Sequence, residues 1–184
     1  MTERVFKTFP DPLPLPWEVS RFVGIDPGGS GGGMAVIHGT SPVTYSAVPM
    51  PQTTRDITDW LWSVTGPSTW VFVEDVHSLP REGVSSAFAF GLNNGEIRGT
   101  LATLGKLTGL RWQLVRPQEW MRGMGLRKKG KEEGKTEWKN YLKGVAQQMF
   151  PLENVTLKTA DALLLAEFCR RRKTARMVYP SHEI

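Results

Sequence analysis

The chain has 184 residues, with 23 lysines and arginines against 18 acids and a formal net charge of +5. Hydrophobic residues make up 40% and charged ones 22%, which allows a buried core in one domain and argues against global disorder. A single cysteine, Cys169, excludes an internal disulfide and a Cys-rich zinc site, and His38, His77 and His182 are too scattered for a His-based metal cluster. No apolar run approaches the roughly 18 residues of a membrane span. The opening segment, with Glu3, Arg4 and Lys7 ahead of its prolines, does not read as a signal peptide. The expectation is a soluble intracellular protein whose basic balance hints at a polyanionic partner.

Pro10, Pro12, Pro14 and Pro16 alternate, so residues 1–20 read as an extended Pro-rich arm. From Arg21 the pattern changes to short apolar strands at 21–26, 32–38 and 42–48, joined by Gly and Ser/Pro turns. Ile57, Trp60, Leu61 and Trp62 suggest a short helix after Gln52. Residues 69–75 (TWVFVED) form an apolar run ending in two acids, as in a buried strand with a polar tip. A long helix is expected over 85–105, with Ser85 or Ser86 as N-cap, then a strand over 110–116. Pro117 suits the first position of a short helix. Residues 123–134 form a Gly- and Lys-rich loop. Over 135–149, Trp138, Leu142, Val145 and Met149 share one helical face. A last helix runs from Thr159, its cap, to Lys173. This order gives an α/β fold with a mixed sheet, spanning 21–176 and followed by a tail over 177–184.

Three acids fall where core elements end: Asp26 after the first strand, Glu74 near the tip of the fourth, and Asp161 in the first turn of the last helix. A carboxylate set among Phe22, Val23 and Ile25, or among Val71, Phe72 and Val73, is costly to bury unpaired. Any one of them alone suits a turn or helix cap, but three on adjacent tips need compensation, and no Lys or Arg adjoins Asp26 or Glu74. Divalent cations held by carboxylates, in pairs about 4 Å apart, serve phosphodiester hydrolysis by in-line displacement. Nucleotide loops do not fit. The glycines of 28–33 fail the G-x-G-x-x-G spacing at Met34 and Val36, and the partial Walker ending at Gly134-Lys135-Thr136 has Lys129 in place of its first glycine.

FVGIDPGGSGGGMAV, VFVEDVHSLPREGVSSAFAFG, LVRPQEWMRGMGL and TADALLLAEF, in this order, resemble the RuvC-type Holliday junction resolvases, with greatest likeness to phage-encoded and plant chloroplast members. The similarity spans roughly Arg21 to Arg172. It implies a ribonuclease H-like fold with a five-stranded mixed sheet flanked by helices, a homodimer, and nicking of symmetric strands at a four-way DNA junction. It also implies two Mg²⁺ ions per active site, with Mn²⁺ as a substitute. Asp26, Glu74 and Asp161 match the family's catalytic, metal-binding acids. The usual fourth ligand is missing: its positions hold Leu157 and Lys158, and Lys158 is a candidate to contact a phosphate or the attacking water but cannot ligate a metal while protonated. The family's lysine after the tryptophan of P-x-x-W is replaced by Met121, with Arg122 next. Asp75 should point to the opposite strand face from Glu74.

Candidate DNA contacts follow. Residues 127–143 hold seven lysines and arginines against three glutamates, among them Lys128, Lys129, Lys131, Lys135, Lys139 and Lys143. Lys135, Lys139 and Lys143 form an i, i+4 stripe, either a solvated face or a phosphate-gripping one. Residues 170–176 carry five cations and no acid, partly explained by the helix dipole. The resemblance makes Ser85, Ser86 and Phe88 candidates for contacting or wedging bases, against an ordinary role in capping and packing. Gly91, Gly95 and Gly99 recur every four residues, which suggests close backbone approach, to a second subunit or to the sheet.

Three alternatives compete. An actin-like or sugar-kinase ATPase also carries a strand-end Asp followed by glycines, but needs two such domains and about twice this length. A catalytically silent DNA-binding relative would have little use for three retained acids. A broader flap or fork nuclease of the same fold stays open.

Overall fold

The computed structural model describes residues 21–28, 30–39, 43–77 and 83–178, with side chains to Thr174. The expected arm over 1–20 and the end of the tail lie outside the described residues.

Five strands form one sheet in the order β3-β2-β1-β4-β5. They are β1 (Arg21–Asp26), β2 (Gly33–His38), β3 (Thr44–Pro49), β4 (Thr69–Glu74) and β5 (Arg111–Val115). β1 to β3 are antiparallel neighbours, whereas β4 and β5 run parallel to β1. The helices are α1 (Thr54–Val64), α2 (Val84–Thr108), α3 (Pro117–Gly123), α4 (Lys135–Met149) and α5 (Ala160–Val178). This is the mixed, helix-flanked sheet of the ribonuclease H-like fold that the resemblance implies.

Strand alternation sorts the core into two layers. Val23, Ile25, Met34, Val36, Val71 and Val73 face α1 and α2, meeting Ile57, Leu61, Ile97, Leu101 and Leu104. Phe22, Ala35, Ile37 and Phe72 face the other way, onto Trp120 of α3, Leu142 and Ala146 of α4, and the interior of α5. Helix α5 is buried around most of its circumference from Ala162 to Cys169, which is why its sequence is apolar without a clear stripe. Burial pushes the Cys169 thiol up, so it is a core residue rather than a reactive one.

Two glycines set how closely α5 lies on the sheet. A Cβ on Gly24 would fall well inside van der Waals contact of the Ala162 carbonyl and the Ala166 amide, and one on Gly33 would strike the Lys158 carbonyl. The backbone of α5 and of the turn before it therefore rests directly on β1 and β2, which brings the first turn of α5 to the tips of β1 and β4.

Several boundaries differ from the sequence reading. Helix α2 begins at Val84 with Gly83 as N-cap, so Ser85 and Ser86 lie within its first turn instead of capping it. Thr159 precedes α5, but its hydroxyl is engaged by the Thr156 N–H at 3.0 Å and the Thr156 hydroxyl at 3.1 Å. Helix α5 runs to Val178, past the expected domain end at 176. A Cβ at Gly91, Gly95 or Gly99 would meet nothing within 4 Å, so this stripe does not pack against the sheet. Among the described residues, no helix is long and apolar enough to cross a membrane.

Candidate active site

The carboxyl ends of parallel strands in an open α/β sheet are where side chains can converge without breaking the ladder. β1 and β4 are in register from Arg21↔Thr69 to Ile25↔Val73, so the next residues, Asp26 and Glu74, end up side by side. Both belong to the alternation set facing α5, and both are nearly buried, at 8% and 6% exposure. Asp161, the residue just before the Ala162–Ala166 crossing over Gly24, completes the group; its side chain is 12% exposed. The structure thus brings together the three acids singled out by sequence. Asp75, by contrast, turns to the other face and pairs with Arg98 of α2 at 3.6 Å.

Each acid is held above its ordinary range. Burial raises Asp26 well upward, and the neighbouring charges of Glu74 and Asp161 add to it. Burial also raises Glu74, against the opposing pull of a hydrogen bond from Trp120. Asp161 is raised by burial and held back by Lys139. Asp26 and Glu74 lie close enough to influence each other, and the charge of Asp161 works against the ionisation of both. Among the described residues, no group of three or more His, Cys, Asp or Glu is arranged to hold one metal ion.

Two contacts complete the site. Trp120 Nε1–H of α3 donates to Glu74 Oε1 at 2.8 Å in a buried setting. Lys139 Nζ of α4 lies 3.9 Å from Asp161 Oδ2. Lys139, expected on an outward stripe, is therefore drawn inward as the cation that sequence adjacency could not supply. A third contact secures the loop after Asp26: the Gly28 N–H donates to Asn93 Oδ1 of α2 at 3.0 Å. Asn93 was missed by sequence reasoning. Its one signal is a polar pair, Asn93-Asn94, in a helix of small and apolar residues.

The other candidate residues spread around this centre. Lys158 is exposed in the turn entering α5. Ser85, Ser86 and Phe88 are exposed on the first turns of α2, ahead of Asn93, and Phe88 keeps 72% of its surface. Arg122 is exposed on α3, as are Lys128, Lys129, Lys131 and Lys135 on the following loop and the start of α4.

The second cationic cluster is not an open patch where it is described. Glu167 accepts from Arg170 and Arg171, each at 2.7 Å, and Arg172 pairs with Glu119. Lys173 is buried, with Nζ 3.4 Å from the Trp70 ring centre and donating to Gln113 Oε1 at 3.2 Å. Arg172 and Lys173 tie α5 to α3 and β5, whereas Arg170 and Arg171 serve Glu167 within the helix.

No family model matches the chain, and no curated protein matches it. Solved structures do. T. thermophilus RuvC in complex with Holliday junction substrate aligns at 16% identity, covering 85% of this chain and 96% of that chain, with a TM-score of 0.54. Thermus thermophilus RuvC alone aligns at 17% identity over 86% and 96%, also at 0.54. The yeast mitochondrial Holliday junction resolvase Ydc2 aligns at 10% identity over 91% and 85%, at 0.52. At these identities the likeness is one of fold.

Proposed function

We propose that the chain is a structure-selective DNA endonuclease that resolves four-way junctions by Mg²⁺-dependent hydrolysis of phosphodiester bonds, working as a homodimer. The observation that carries this reading is the convergence of Asp26, Glu74 and Asp161 from three elements, the first two buried and the third 12% exposed, with Lys139 as the cation at their side. Two proteins of the same fold support the substrate class: RuvC in complex with Holliday junction substrate, and Ydc2, named as a Holliday junction resolvase.

The donors fit a hard divalent cation. They are all carboxylate oxygens, and burial holds all three acids above their ordinary range, which a bound cation would relieve. Mg²⁺ is usually bound through one or two carboxylates, with water and substrate phosphate filling its other positions, so a protein trio around one point is not required. Asp26, Glu74 and Asp161 would together hold two Mg²⁺ ions, and Mn²⁺ would substitute. Bound there, the metal would supply Lewis-acid polarisation of the phosphate and a more acidic attacking water.

The chain's own residues do the rest. Trp120 fixes the orientation of Glu74, and Lys139 offsets the charge of Asp161 until substrate arrives. Lys158, exposed three residues before Asp161, is available to a phosphate oxygen. Ser85, Ser86 and Phe88 would meet the junction centre, while Arg122, Lys128, Lys129, Lys131 and Lys135 would hold its arms. The open Gly91–Gly95–Gly99 stripe, with Phe88 and Leu92 exposed beside it, suits close packing against a second copy of α2.

Incubation with a fixed four-way junction, a flap and a duplex, in Mg²⁺ or EDTA, tests this. The expected result is paired symmetric nicks in the junction alone and with Mg²⁺ alone. Equal cutting of the flap would replace the reading with a broader branched-DNA nuclease, and binding without nicking would make the chain a silent relative.

A further inference from the structure

A cavity of about 560 Å³ opens between α3, the loop after it and α4. Met121, Leu126 and Trp138 supply apolar lining, while Gln118, Arg122, Lys128 and Lys129 bring polar and cationic groups. Its wall is pinned in place. Arg127 is forked onto Glu133 at 2.6 and 2.9 Å and lies over the Tyr141 ring at 4.1 Å and the Trp138 ring at 5.2 Å. Its backbone N–H donates to the Tyr141 hydroxyl at 3.3 Å. Arg127 is thus spent on holding the loop, and the charge offered to a ligand is that of Arg122, Lys128 and Lys129.

Both walls are adjacent in sequence to residues that touch the acids. Trp120, next to Met121, donates to Glu74, and Lys139, next to Trp138, reaches Asp161. The opening is therefore built on the same two helices, α3 and α4, that contact the acids. An apolar slot with an aromatic wall, an amide and three cations matches a nucleobase with its phosphate, because base stacking is tolerant of sequence and cations track the backbone.

We infer that this cavity receives one unpaired nucleotide of the strand being cut, its base against Trp138, Met121 and Leu126 and its phosphate against Arg122, Lys128 and Lys129. The inference rests on the junction-nuclease reading above and extends it to a nucleotide subsite.

The test places 2-aminopurine singly at each position flanking the exchange point of a four-way junction, in EDTA to prevent cleavage. Fluorescence is recorded with wild-type protein, with Gln118→Trp, which fills the slot from its exposed rim, and with Arg122→Ala, at an exposed site outside the core. Gel-shift affinity for the same junctions is measured alongside. At one position the wild-type complex should differ from both variants by about twofold or more in fluorescence, with the other positions alike. Identical profiles in all three proteins, each bound to the junction, would overturn the subsite and leave the nuclease reading standing. Failure of the wild-type protein to bind the junction would overturn both. Free 2-aminopurine deoxynucleoside monophosphate forms a separate arm: saturable binding of it, without a position-specific signal in the junction, would assign the cavity to a free nucleotide and overturn the strand subsite.

Discussion

At the level of single residues, the acid group is a place where the fold gives up stability. Asp26 and Glu74 are buried against each other and held above their ordinary range, so the folded protein keeps protons that the unfolded chain would release. For a carboxyl whose folded pKa is raised, stability is greatest below the unfolded value near 3.8 and falls as pH rises toward the folded one. Asp26→Asn removes that penalty. The metal-free variant should melt a few degrees above wild type at pH 8 and much closer to it at pH 5, a gain of 1 kcal/mol being worth about 2–4 °C at this size. The same variant should lose junction nicking by about a thousandfold or more. Thermal melts in EDTA at the two pH values check the first expectation, and an unchanged gap between the proteins would contradict it. Trp120→Phe keeps most of the ring but removes the hydrogen bond that opposes the burial of Glu74. Loss of such a supporting contact typically costs about 10–100-fold in metal affinity. The Mg²⁺ concentration for half-maximal nicking should rise about tenfold, with most of the rate recovered at saturation; an unmoved Mg²⁺ titration would show that Trp120 only packs.

At the level of elements, glycines in α2 and β1 do opposite jobs, and substitution separates them. Gly24 lets α5 rest on β1, where a Cβ would meet backbone that cannot move aside. Gly24→Ala should cost about 3 kcal/mol or more and disturb Asp161 with it. Gly95 faces open space, so Gly95→Ala should stabilise an isolated chain by up to about 1 kcal/mol through helix propensity alone. If the stripe is a subunit contact, Gly95→Leu should instead give a well-folded monomer where wild type sediments as a dimer; a wild-type monomer at micromolar concentration would remove the contact. Which elements form was legible in the sequence because period-two strands and Pro or Gly punctuation report local physics. Pro117 opens α3 and Lys135–Met149 is helical as its spacing implies. The site was half legible. Asp26, Glu74 and Asp161 stood out because acids at the ends of apolar runs conflict with burial. Lys139 and Asn93 did not, because each answers a group on another element, and an i, i+4 lysine looks the same whether it faces water or a carboxylate. Ser85 and Ser86 fit the capping rule in sequence although Gly83 is the cap, because a serine two or three residues into a helix looks the same as one at its start.

At the level of the whole molecule, the surplus of +5 is distributed unevenly, and pairing decides what it can do. Residues 170–173 carry four cations in a row, yet Arg170 and Arg171 serve Glu167, Arg172 serves Glu119, and Lys173 lies against Trp70. Pairing with Arg170 and Arg171 holds Glu167 below its usual range despite burial, so that network is committed to structure. Arg127 is likewise committed to Glu133, and Lys139 to Asp161. The charge that remains exposed is concentrated at Lys128, Lys129, Lys131 and Lys135, on the side of the sheet that carries Asp161. Each phosphate contact contributes about 0.9 to the slope of log binding constant against log salt on duplex arms. Replacing Lys128, Lys129 and Lys131 together by Ala should therefore lower the slope for junction binding by about 2–3 and leave the melting temperature nearly unchanged. Replacing Arg170 and Arg171 should do the reverse, leaving the slope intact while destabilising the fold, because Glu167 would be left buried without its partners. Lys139→Ala should change the Mg²⁺ titration more than the salt slope. Salt titrations of junction binding by the three variants, with melts in parallel, separate these outcomes. Equal loss of slope from the 128–131 and 170–171 variants would mean that the paired arginines leave Glu167 for DNA, and the division between structural and binding charge would fall.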